Sequence, residues 1–107
     1  RARAYVAFNG RVNGNLAVSR AFGDFHLKPY VIAAPYCAAP VAFSSGDVLI
    51  MACDGVWDEI DDATAAHVVT QVFRETGSLS RAAAVLRDMA YNSGSTDNIS
   101  VIVIRCP

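Results

Sequence analysis

An unbroken apolar run, Val48-Leu-Ile-Met-Ala-Cys53, passes directly into Asp54-Gly-Val-Trp-Asp58, and that junction restricts what the chain can become. Six such residues without polar alternation read as a strand that needs cover on both faces. A carboxylate at the end of a buried strand is costly unless something pairs with it, and a metal ion is one such partner. The alternative is an ordinary strand end closed by an Asp-Gly turn. No partner strand follows within two residues, because Val56 to Asp62 is acidic and leads into a helical pattern. Metal ligand and strand-end turn both stand at this point.

A second run, Ile99-Ser-Val-Ile-Val-Ile104, is apolar at nearly every position and reads as another central strand. Thr96-Asp97-Asn98 stands immediately before it. Two aspartates, each flanking a central strand, could meet at one end of the same sheet and hold a hard cation through oxygen. Strand order is not readable from the sequence, so this meeting is an expectation only.

Between the two runs lie two helical patterns. Ala65, Val68, Val69, Val72 and Phe73 fall on one face, with Asp61 or Asp62 as N-cap and Gly77 as C-cap. Ala82, Val85, Leu86, Met89 and Ala90 repeat that spacing after Ser78 or Ser80 and stop near Asn92-Ser-Gly94. A short joint predicts antiparallel helices laid on a sheet. Val41–Phe43, the turn Ser44–Asp47 and Val48–Cys53 suggest a hairpin. Upstream, Arg3 to Phe8 is β-favouring, and Asn9-Gly10 and Asn13-Gly14 signal tight turns. Pro29, Pro35 and Pro40 predict an extended segment over Val31 to Ala39, lying over the surface of a core.

The 107 residues are 53% apolar, which suits a globular domain or part of one. A formal net charge of −1 gives no electrostatic case for nucleic acid or an anionic membrane. No apolar run is long enough to span a bilayer. Cys37, Cys53 and Cys106 lack finger spacing and read as reduced, mostly buried thiols of an intracellular, cytoplasmic or nuclear protein. The opening at Arg1, without methionine, suggests a fragment or a processed chain.

Four pieces then fall into one pattern: Asn13-Gly-Asn-Leu-Ala-Val-Ser-Arg-Ala-Phe-Gly-Asp24, Leu27-Lys-Pro-Tyr-Val31, Ala52-Cys-Asp-Gly-Val-Trp-Asp58 and Ser95-Thr-Asp-Asn-Ile-Ser-Val101. In this order and spacing the chain resembles the C-terminal part of PP2C-type, metal-dependent protein serine/threonine phosphatases. The resemblance covers nearly the whole chain. It implies an α+β fold, a PP2C-like α/β sandwich in which two antiparallel sheets are flanked by antiparallel helix pairs. Residues 1–107 would be the C-terminal portion of one such domain. It implies a binuclear Mg²⁺ or Mn²⁺ centre whose water attacks a phosphoryl group directly, and phosphoprotein substrates. By position Asp54 and Asp97 would be ligands of one metal. Asp58 would join Asp54 at a weaker third ion. Gly55 would permit the turn behind the ligand, Trp57 would pack beneath the site or stack on substrate, and Arg20 and Asp24 would support the centre.

The departures matter too. The family's Asp-Gly-His-Gly-Gly motif and its phosphate-binding arginine have no counterpart here, so much of the metal shell is missing and the chain alone is expected to be inactive. The family's acidic residue near Cys37 and Ala38 is also absent. An alternative is a pseudophosphatase-like interaction module without catalysis. If isolated, strands losing partners would leave open sheet edges that favour self-association. His26 and His67 lack ligand spacing, and Asp47, Glu59, Asp61 and Asp62 read as turn, cap and solvated charges.

Overall fold

Strand β1 (Val48–Ala52) and strand β2 (Val101–Arg105) pair antiparallel, with Val48 opposite Arg105 and Ala52 opposite Val101. The computed structural model describes residues 4–107, and among them this is the one sheet. β-Branched residues at Val48, Ile50, Val101 and Val103 suit a pleated surface. These, with Ala52, turn one face of the sheet toward the helices. The expected hairpin from Val41–Phe43 does not form; that segment is irregular, and β1 takes its ladder from the far end of the sequence.

Between the strands come three helices: α1 (Asp54–Trp57), α2 (Asp62–Thr76) and α3 (Leu79–Asn92). The boundaries of the longer two follow from their caps. The Asp61 carboxylate accepts from the Thr64 N–H at 2.7 Å, and Gly77 closes α2 in the left-handed region at φ 67°. The Ser78 hydroxyl accepts from the Arg81 N–H at 3.1 Å and opens α3. Helix α3 lies against β2, and α2 packs on α3. The fully buried core contains Val56, Val69, Leu86 and the small residues Ala65, Ala82 and Ala90, which let the helices approach closely. The expected stripes supply all of these but Val56, which comes from α1. This mixed helix-and-strand arrangement agrees with the α+β class read from the sequence.

A second expectation fails. Neither strand is covered on both faces: Leu49, Met51, Ile102 and Ile104 are 46%, 50%, 56% and 43% exposed. The register sets Leu49 opposite Ile104 and Met51 opposite Ile102 on the side away from the helices. A strand's side chains alternate in direction, and helices are packed on one side only.

The chain divides into two units, one running through Pro40 and the other Val41–Pro107. The first has short bridges in place of strands, Val6 with Val12 and Val12 with Leu16. Arg1, at which the chain opens, and Arg3, the start of the β-favouring stretch, lie outside the described residues. Asn13 and Gly14 both take positive φ, 49° and 77°, as a tight Asn-Gly turn requires. The proline-rich segment forms no regular structure beyond a bridge at Ile32. Val31 within it is buried, as is Leu27.

Candidate functional site

The antiparallel register decides where the two aspartates stand. Because Ala52 faces Val101, the end of β1 lies beside the start of β2. Asp54 follows the first and Asp97 precedes the second, so both belong to the same end of the sheet. The Cys53 N–H donates to the Ser100 carbonyl at 3.3 Å and carries the ladder one step toward them.

At that end the chain turns sharply. Asp54 opens the one-turn helix α1, where a carboxylate suits the unpaired N–H groups of a first turn. The Asp58 N–H donates to the Asp54 carbonyl at 2.9 Å, placing the two side chains one helical turn apart on one face. Gly55, between them, has no left-handed φ. Its role is therefore clearance and not the turn geometry expected of it. A Cβ there would fall on the Asn98 carbonyl oxygen and lie 3.4 Å from the Asp97 Cβ. The Asp54 turn and the Asp97 loop abut.

Several bonds fasten the two segments. The Ser95 hydroxyl donates to the Gly55 carbonyl at 2.7 Å. The Cys53 thiol donates to the Asn98 carbonyl at 3.1 Å, and its sulfur accepts from the Ser100 N–H at 3.3 Å. Trp57 donates its indole N–H to the Ala52 carbonyl at 3.0 Å and packs against the core, so its ring is committed beneath the turn. Sequence reasoning treated Cys53 as a reduced, mostly buried thiol and gave Ser95 no role beyond its place in a motif. The signal available was their place, one beside each aspartate segment.

Asp54, Asp58 and Asp97 are exposed. Burial therefore cannot be what calls for a counter-ion, contrary to the expectation from the apolar strand. The open sheet and short turn leave all three in contact with solvent. The one ion pair among the described residues joins Arg87 to Asp88 on α3, leaving these carboxylates without a cationic partner. Asp97 Oδ1 accepts from the Asn98 N–H at 2.7 Å, and Oδ2 has no partner among the described residues. Exposed carboxylate oxygens on abutting segments suit a hard divalent cation. Their number is short: among the described residues no three His, Cys, Asp or Glu side chains form a metal-holding group. The donors fit part of a cation's shell, not the whole of it.

Other candidates lie elsewhere. Arg20 and Asp24 belong to the first unit, where Arg20 donates to the Ala34 carbonyl at 3.4 Å and Asp24 occupies a left-handed turn. His26 and His67 are exposed. The three cysteines are free; Cys37 is exposed, and Cys53 and Cys106 are half-buried, so they are less enclosed than their residue type suggested. No helix among the described residues is long and apolar enough to cross a membrane.

Comparison with known proteins gives a consistent picture. A family model described as Protein phosphatase 2C matches residues 1–99. Protein phosphatase 1E of Mus musculus is 43% identical over 95 residues, covering 88% of this chain and 13% of that protein. Protein phosphatase 2C homolog 1 of Saccharomyces cerevisiae is 38% identical over 99 residues, covering 92% of this chain and 34% of its own length. The crystal structure of a phosphatase from Toxoplasma gondii superposes with a TM-score of 0.77 at 36% identity, covering 94% of this chain and 34% of that one. The chain thus spans about a third or less of these relatives.

Proposed function

Because the chain belongs to the protein phosphatase 2C family, we propose that it is part of a metal-dependent enzyme hydrolysing phosphoserine and phosphothreonine in proteins. Asp54 and Asp97 would hold a share of a Mg²⁺ or Mn²⁺ site, and Asp58, one turn from Asp54, would help to bind a weaker further ion. Residues 1–107 are, in this reading, the C-terminal portion of a single phosphatase domain. The observation that carries it is the antiparallel register with the Gly55–Asn98 approach, which sets both aspartates at one end of one sheet.

Divalent cations bound there would neutralise phosphoryl oxygens and lower the pKa of a water molecule. The chain's own residues prepare for this. The Asn98 N–H occupies Asp97 Oδ1, which limits rotation of the carboxylate and leaves Oδ2 available. The committed Trp57 indole holds the turn that carries Asp54. No cysteine is needed as a nucleophile. The setting is a phosphoprotein partner in the cytoplasm or nucleus. A self-association through the open edges of the two-stranded sheet is part of the same proposal.

A second reading, an interaction module without catalysis, draws on the lack of a three-donor group among the described residues. Hydrolysis of an aryl phosphate with Mn²⁺, together with Mn²⁺-induced broadening of amide signals, separates the readings. The 107-residue chain alone should turn over no substrate yet show broadening centred on Asp54 and Asp97. Mn²⁺-dependent turnover by the chain alone contradicts the inactivity, and the absence of broadening at both residues contradicts the metal reading.

A further inference from the structure

We propose that Ser95 and Cys53 are positioning residues, a two-part clasp that holds the Asp97 loop on the Asp54 turn so that both carboxylates face the same ion. The proposal rests on the metal reading above and adds residues that reading does not use. Neither side chain offers a carboxylate, and neither is placed as a ligand. Each reaches from one aspartate-bearing segment to the other, in opposite directions.

From the Asp97 side, Ser95 donates to the backbone of the residue immediately after Asp54, at 2.7 Å. From the Asp54 side, Cys53, immediately before it, donates to the carbonyl of the residue after Asp97 and accepts from Ser100. The peptide of Asp54 is thus held on both flanks. A thiol is a weak donor and a weak acceptor. Here it serves as both at once, bridging the gap that opens where the regular ladder ends at Ala52 and Val101. Gly55 adds the steric half of the arrangement: with no side chain, it lets the Asn98 carbonyl approach the turn directly. A ligand pair on two separate segments holds an ion only as well as the segments hold each other, and supports behind metal ligands typically alter affinity by about 10–100-fold.

The test combines amide exchange with Mn²⁺ affinity in the full 107-residue chain. In Ser95→Ala and in Cys53→Ala, exchange at the Cys53 and Ser100 amides should accelerate about tenfold or more relative to Val69 and Leu86 in the core helices. Mn²⁺ affinity should fall about tenfold. Cys53→Ser, which keeps a donor and an acceptor, should restore both. Exchange at Cys53 and Ser100 that changes no more than at Val69 and Leu86 overturns the clasp. So does faster exchange there with unchanged Mn²⁺ affinity. If the unaltered chain binds no Mn²⁺, the metal reading fails by itself, and the exchange pattern still decides whether the two side chains hold the loop.

Discussion

Gly55 is the residue on which the site's geometry turns. Alanine there would gain at most about 1 kcal/mol of helix propensity. It would also drive a Cβ into the Asn98 carbonyl, a backbone group with no rotamer to yield, and overpacking of that kind costs about 1–3 kcal/mol. The collision wins, so Gly55→Ala should lower the urea midpoint and weaken Mn²⁺ binding together. An unchanged midpoint would show that the loop moves aside freely. The resemblance marked Gly55 as special, but for turn geometry and not for the clearance it supplies. An Asp-Gly pair signals a turn in most settings, and only the three-dimensional neighbour at Asn98 reveals that clearance, not a left-handed φ, is required. The aspartates themselves were legible as a pair flanking two strands. Their exposure was not, since an apolar strand gives no sign of how many of its faces are covered.

At the scale of elements, α2 and α3 were readable almost to their ends, because period, N-cap and C-cap agree in each. The pairing of β1 with β2 was not readable, since a long-range antiparallel ladder leaves no local mark, and the nearer Val41–Phe43 segment offered a false partner. Truncating Leu86, fully buried between helix and sheet, to alanine should cost about 2–5 kcal/mol. That is a large share of the stability of a small domain, so a cooperative melt should be largely lost. A shift of only a degree or two would contradict the packing. The cap on α2 gives a pH prediction. The Thr64 backbone N–H, and then its side chain, hold the Asp61 carboxyl below its ordinary value of 3.8, against a smaller upward effect of burial. A depressed native pKa means that the unfolded chain binds the proton first as pH falls. The ionic part of the cap therefore acts above the ordinary value and is lost as pH drops through the lower native one. As pH falls through 3.8 and on through the lower native value, the melting temperature of the unaltered chain should fall toward that of Asp61→Asn. Parallel pH profiles would contradict this.

For the molecule as a whole, the sheet has helices on one face, while Leu49, Met51, Ile102 and Ile104 line the other. An exposed apolar face beside strand edges that are unpaired among the described residues favours association. Sedimentation of the 107-residue chain should show self-association that Met51→Lys and Ile102→Lys reduce; a monomer at high concentration would contradict it. The most direct test of the account is a double-mutant cycle on Mn²⁺ affinity, read by amide titration of the unaltered chain, Asp54→Asn, Asp97→Asn and the double variant. Two side chains gripping one ion are coupled, so either substitution should remove most of the binding and the second should add little. Losses that simply add, or a substitution that leaves affinity untouched, would mean that the two carboxylates do not share a cation.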